Sequence, residues 1–246
     1  MIAWVLRLGS ALVLGTALAA PAAAQAPKET VDLALVLAVD ASGSVNQYRF
    51  DLQRDGYVAA FRHPQVIAAI TSGPHGAIAV TVMQWTGPAQ QVQVVPWTRL
   101  GGATAADAFA AAIAEAPRRL FGGGTSLSGA IDTGVALIAQ SPFTGLRSVI
   151  DVSGDGANNR GRPVAEARDD AVAAGIVVNG LPIVAIEPYL DRYYEANVIG
   201  GPGSFMIAAA SYEHFADAVR RKLILEIAGK DAARILARAA PHQPLR

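Results

Sequence analysis

The 246-residue chain has no cysteine. That excludes disulfides, thiolate metal sites and a lipid-modified N-terminal cysteine. Its four histidines, His63, His75, His214 and His242, stand far apart in the chain with no pair at ligand spacing, so a zinc site of the usual kind is not expected. Charge of either sign is not in excess: 20 basic and 20 acidic residues give a net charge of zero, and the basic ones are scattered. No basic stripe is available for a phosphate backbone, so nucleic acid is not an expected partner. Beyond the N-terminal segment no apolar run approaches the roughly 20 residues a bilayer span needs. There is no internal repeat and no interior low-complexity linker. Any metal here has to be held by oxygen.

What is present is ample core material: 52% of residues are hydrophobic, with 24 Gly and 14 Pro, enough for one α/β domain of ordinary size. The first 24 residues are read apart from the fold. Arg7 is followed by an apolar stretch from Leu8 to Ala20, a break at Pro21, and small residues at Ala22 and Ala24. This is the pattern of a secretory signal peptide cut after Ala24, with an uncleaved N-terminal anchor as the alternative. It predicts a periplasmic or secreted protein with no transmembrane segment in the mature chain. The expected divisions are a signal peptide at 1–24, a domain over 31–228 and a C-terminal tail at 229–246.

Periodicity predicts strands at Leu33–Val39, Ala77–Trp85, Gln91–Trp97, Arg147–Val152, Ile176–Val184 and Phe205–Ala209. Helices are predicted at Asn46–Arg62, Ala105–Ala116, Ser126–Gln140, Pro163–Ala174, Tyr189–Val198 and Tyr212–Ile227. Only TGPAQ separates the second and third strands, a hairpin-length connection. The alternation predicts a doubly wound α/β fold: a mostly parallel sheet with one antiparallel edge strand and helices on both faces.

Such sheets bind ligands outside the carboxyl ends of their strands, where the strand order reverses. The apolar run LALVLAV ends in DASGS, placing Asp40 at a strand end with Ser42 and Ser44 at alternate positions after it. In an extended loop that spacing turns the three side chains the same way. FGGGTSLSGAID puts Thr125 after three glycines and just before a helix, and VIDVSGDGANN puts Asp155 beyond the fourth strand. If the fourth strand neighbours the first, two carboxylates and three hydroxyls converge. That hard-oxygen set suits Mg²⁺, or Mn²⁺ in its place, and the ion would offset the repulsion between Asp40 and Asp155.

DASGS at Asp40, Thr125 in GGGTSL and Asp155 in SGDG together resemble the metal-ion-dependent adhesion site of the von Willebrand factor A domain. The resemblance covers nearly all of Val31 to Ala228. It extends to exported bacterial members of that superfamily whose function is uncharacterised. It implies a Rossmann-like fold in which Ser42, Ser44 and Thr125 bind the ion directly or nearly so. Asp40 and Asp155 would act largely through water, and an Asp or Glu of a protein partner would complete the octahedron. The chain would then be a binding module and not an enzyme.

Plainer roles compete for each residue. Ser44 has Gln47 three residues on, as in a capping box, Thr125 is placed to cap the next helix, and Asp155 with Gly156 suits an Asx turn. Asn158, Asn159 and Arg160 are candidates for a partner-recognition surface or for simple loop solvation. Tyr189, Tyr193 and Tyr194 suit either a partner face or, more simply, an amphipathic helix. Trp85 and Trp97 are expected in packing, and Asp151 inside a strand, bonded to a neighbouring loop.

Two enzymatic arrangements are weaker. Asp40, His75 and Ser126 follow the chain order of a subtilisin-like triad, but only 51 residues separate His75 from Ser126. Asp40 also resembles a phosphotransferase nucleophile, yet it lacks the second acid two residues on and a general base beside it. A metal-independent envelope scaffold is the third reading.

Overall fold

Glu29–Asp40 (β1) is buried at every position from Val31 onward. A strand buried on both faces has to lie inside a sheet covered on both sides. In this computed structural model, which describes residues 28–229 and 232–237, β1 is the central strand of five. The segment expected to be a signal peptide, residues 1–24, lies outside the described residues, as does most of the expected C-terminal tail.

Ile78–Trp85 (β2) and Phe143–Gly154 (β4) flank β1, both parallel to it. Gln91–Leu100 (β3) returns antiparallel along β2, and Ile176–Pro182 (β5) lies parallel to β4. The order β3-β2-β1-β4-β5 is the doubly wound sheet with one antiparallel edge strand that the sequence predicts. Between β1 and β4 the winding reverses, and this is the switch point where such sheets bind ligands.

Alternation along β1 divides the core. Leu33, Leu35, Leu37 and Val39 join the apolar cluster built with Gln47–Arg62 (α1), Pro64–Ile70 (α2), Ala103–Glu115 (α3), Phe215–Ala228 (α7) and Ala232–Ala237 (α8). Val36 and Ala38 face the second cluster, under Leu127–Gln140 (α4), Val164–Ala173 (α5) and Leu190–Asn197 (α6). Trp85 is fully buried in that second cluster, and the half-buried Trp97 indole N–H donates to the Leu137 carbonyl at 3.1 Å. Packing is therefore the role of both tryptophans.

Three expectations need correction. The turn of helix α2 is absent from the sequence reading, because seven residues opened by Pro64 carry too little periodicity to stand out beside α1. Phe205–Ala209 is not a continuous strand: it pairs with β5 and the residue after it at two single bridges, Gly180 with Met206 and Ile183 with Ala209, and the Phe205 N–H donates to Asn179 Oδ1 at 2.8 Å. Asp151 lies inside β4, but it reaches a helix and not a loop. Its carboxylate meets Lys222 Nζ of α7 at 2.7 Å, and Lys222 also meets Glu226 at 2.9 Å, all three side chains fully buried. Asn179 of β5 donates to the other Glu226 oxygen at 2.7 Å, so this network ties α7 to the sheet.

Candidate metal centre

Asp40 is the last residue of β1 and is fully buried. Its Oδ1 accepts the Ser42 N–H at 2.7 Å, which curls the loop back so that Ser42 Oγ stands 3.3 Å from Ser44 Oγ. Ser44 Oγ donates to Asp155 Oδ1 at 2.5 Å. The Asp155 N–H faces Asp40 Oδ2 at 3.4 Å. Pairing of β1 with β4 thus brings the two acidic strand ends together, as the sequence reading required.

Thr125 enters from a third loop. Its N–H donates to Asn159 Oδ1 at 2.9 Å, and its carbonyl accepts from the N–H groups of Asn159 and Arg160 at 2.9 and 3.1 Å. These bonds fix Thr125 against the β4 loop, with its Oγ1 3.6 Å from where a Cβ on Gly156 would stand. The DASGS and GGG loops approach closely: a Cβ on Gly43 would stand 3.2 Å from the Gly123 carbonyl oxygen. Gly122 and Gly123 have φ of +74° and +84°, which suits glycine at both positions.

The capping alternatives do not hold. Asn46, not Ser44, caps α1 by accepting the Arg49 N–H at 2.9 Å, and Ser126, not Thr125, caps α4 by accepting from Gly129. The triad is not assembled either. The His75 N–H bonds Asp32 at the opposite end of β1, about 26 Å of extended strand from Asp40. Asn158 and Asn159 use their side chains within the loop cluster, on Ser128, Arg162 and Thr125, and Asn159 and Arg160 are exposed.

Four neighbours of the cluster were not legible in the sequence. Tyr212 Oη, from the 3-10 turn before α7, donates to Asp155 Oδ2 at 2.7 Å. Arg49 Nη1 lies 4.0 Å from the same oxygen. Glu187 Oε2 accepts the Ala157 N–H at 3.1 Å. Tyr194 is fully buried beside Asp40, since a Cβ on Gly154 would stand 3.0 Å from both Tyr194 Oη and Asp40 Oδ2.

The donor set fits a hard divalent cation. Burial, and next the charge of Asp155, push the Asp40 carboxyl up to about 7 against the hydrogen bonds of Ser42. Two buried carboxylates with this mutual repulsion call for a counter-charge. Among the described residues Tyr194 Oη has no hydrogen-bond partner and the Thr125 hydroxyl takes no part in a hydrogen bond. Among the described residues no group of three or more His, Asp or Glu side chains gathers for metal binding, so hydroxyls have to complete any coordination here.

A five-stranded, doubly wound sheet of this order, with hydroxyl and carboxylate loops at its switch point, is a von Willebrand factor A fold. The chain belongs to the family described as protein of unknown function (DUF1194), whose model matches residues 30–231. Among solved structures, proximal thread matrix protein 1 from the mussel byssus, with a zinc-occupied MIDAS motif, is 14% identical over 82% of this chain at a TM-score of 0.57. This chain covers half of that one. A von Willebrand factor type A protein from Catenulispora acidiphila is 14% identical over 78% of this chain and 42% of its own, with a TM-score of 0.55. The pilus adhesin SpaC from Lactobacillus rhamnosus GG is 18% identical over 86% of this chain and 31% of its own, at 0.56. These likenesses show the fold. No curated protein matches the chain.

Proposed function

We propose that the chain is a divalent-ion-dependent protein-binding module of the bacterial envelope or secreted space. Asp40, Ser42, Ser44, Thr125 and Asp155 hold Mg²⁺ or Mn²⁺. The observation that carries this reading is the meeting of three loops on one pair of buried carboxylates, with the Thr125 hydroxyl left unused. When bound, the ion supplies a Lewis-acidic position for a carboxylate oxygen of the partner. The protein's own groups do the rest: Ser42, Ser44 and Thr125 offer hydroxyl oxygens, while Asp40 and Asp155 supply balancing charge.

The surrounding face suits a protein partner. Tyr48, Phe121, Ile186 and Tyr189 are 61%, 70%, 45% and 71% exposed, and all four stand in loops or first turns around this edge of the sheet. Apolar side chains exposed together around a polar centre are a mark of interaction surfaces. Arg160 adds positive charge suited to an acidic partner. The solved relatives that are adhesins or matrix proteins point the same way. The site offers carboxylates, hydroxyls and a guanidinium, a set for coordination and charge pairing, and we read it as binding and not catalysis. Among the described residues no helix is long and apolar enough to cross a membrane. The envelope location rests on the N-terminal sequence pattern.

A metal-independent scaffold is favoured by one observation: Ser44 and Tyr212 already occupy both Asp155 oxygens. Isothermal titration of Mg²⁺ and Mn²⁺ into metal-stripped mature protein separates the two. One-site binding that is lost in Asp40→Ala and Thr125→Ala supports the ion site. No heat either in the wild type or in Arg49→Met, which removes the cation beside Asp155, with all variants folded, supports the scaffold.

A further inference from the structure

Asp155 is not a bare carboxylate waiting at the end of β4. Ser44 Oγ donates to its Oδ1 at 2.5 Å and Tyr212 Oη to its Oδ2 at 2.7 Å. Arg49 Nη1 stands 4.0 Å from that same Oδ2, and the Arg49 side chain is 32% exposed. Arg49 belongs to the first turn of α1, immediately after the DASGS loop. It is held there by two further contacts. Nη1 donates to the Ser44 carbonyl at 2.6 Å, and the guanidinium lies over the Tyr212 ring at 5.3 Å from its centroid. A cation is thus anchored at the mouth of the cluster by the loop that carries two of the ligands and by the turn that grips Asp155.

We infer that Arg49 is the site's resident counter-cation, placed to neutralise Asp155 and to compete with a divalent ion for it. This rests on the metal reading proposed above. A positive charge within a few ångströms of a bound dication is repulsive, so Arg49 lowers the affinity of the cluster for the ion alone. A partner carboxylate changes that balance: it pairs with the guanidinium, draws it from Asp155, and adds an oxygen at the ion. Ion and partner therefore bind with positive coupling, and the free protein is a weak ion binder.

The test is calorimetric titration of Mn²⁺ alone into metal-stripped wild type, Arg49→Met, Arg49→Gln, Arg49→Lys and Asp40→Ala, each checked for an unchanged melting curve. Arg49→Met and Arg49→Gln should tighten Mn²⁺ binding about tenfold, and Arg49→Lys should stay near wild type. Gln retains a donor for the Ser44 carbonyl, so tightening in Gln as well as Met assigns the effect to charge and not to a loosened loop. Binding in Arg49→Met but not in wild type also supports the inference. Asp40-dependent binding that is equal or weaker in Arg49→Met and Arg49→Gln overturns it and leaves the metal site standing. No binding in any protein overturns both.

Discussion

The Ser44 hydroxyl and the Asp155 carboxylate, 111 residues apart in the chain, meet at 2.5 Å across the gap between the ends of β1 and β4. That bond closes the switch point of the sheet, and the remainder of the cluster is arranged around it. Asp40 orders the Ser44 loop from below through the Ser42 N–H, and Tyr212 holds the far side of Asp155. The site is therefore a junction of β1, β4 and the turn that leads into α7.

Ser44→Ala should cost about 1–3 kcal/mol, because it leaves a buried carboxylate oxygen without its donor. Urea unfolding in chelator measures this without any contribution from an ion. The same variant should weaken Mn²⁺ binding. A variant as stable as the wild type would mean the Ser44–Asp155 bond is not formed in solution.

Lys222 carries a different part of the structure. It is fully buried between Asp151 and Glu226 at 2.7 and 2.9 Å. Lys222→Met strands two buried carboxylates and should destabilise by about 3–5 kcal/mol. The network lies below the loop cluster, so Mn²⁺ affinity of the folded fraction should change little. Thermal melts and titration on the same sample read both quantities, and a stable Lys222→Met protein would contradict the expectation.

The same network sets a pH dependence. Burial pushes the Asp151 carboxyl up to about 7, Lys222 opposing and Glu226 adding to the shift. The folded-state value stands above the ordinary 3.8, so folding favours the protonated acid. That stabilisation is complete below about pH 4 and is lost as pH rises through about 7. Asp151→Asn, which cannot ionise, should gain on the wild type between pH 5 and 8 by on the order of 2 kcal/mol. Denaturant unfolding at the two pH values measures the difference, and an unchanged gap would show that Asp151 keeps one charge state throughout.

Much of this fold is legible from residue pattern. The apolar run ending at Asp40 marks the central strand, TGPAQ marks the hairpin, and the three glycines ahead of Thr125 mark a loop that other backbone approaches closely. Asp40, Ser42, Ser44, Thr125 and Asp155 could be grouped because each stands at a strand or helix end on the same edge. What escapes are residues whose role exists only through packing. Lys222 reads as an ordinary helical lysine until α7 lies on β4. Arg49 and Tyr212 are 163 positions apart (212 − 49), and nothing local marks either as a neighbour of Asp155. Phe205–Ala209 reads as a strand from its apolar content, but it pairs along β5 and Ile183 at two isolated bridges and forms no continuous ladder.

Thr125→Val separates the metal reading from a purely structural one. Valine keeps the branched shape of threonine, and the bonds that fix position 125 are made by its backbone N–H and carbonyl, which the substitution leaves intact. The hydroxyl itself takes no part in the hydrogen bonds among the described residues, so its removal strands no protein partner. Folding stability should stay within about 0.5–1 kcal/mol of the wild type. If the hydroxyl exists to meet a cation, Mn²⁺ binding should fall by tenfold or more while the melting curve in chelator is unchanged. Full Mn²⁺ affinity in this variant would remove Thr125 from the site and leave the cluster with ligands from two loops only. A fall in stability without a fall in affinity would instead make Thr125 a packing residue of the loop junction.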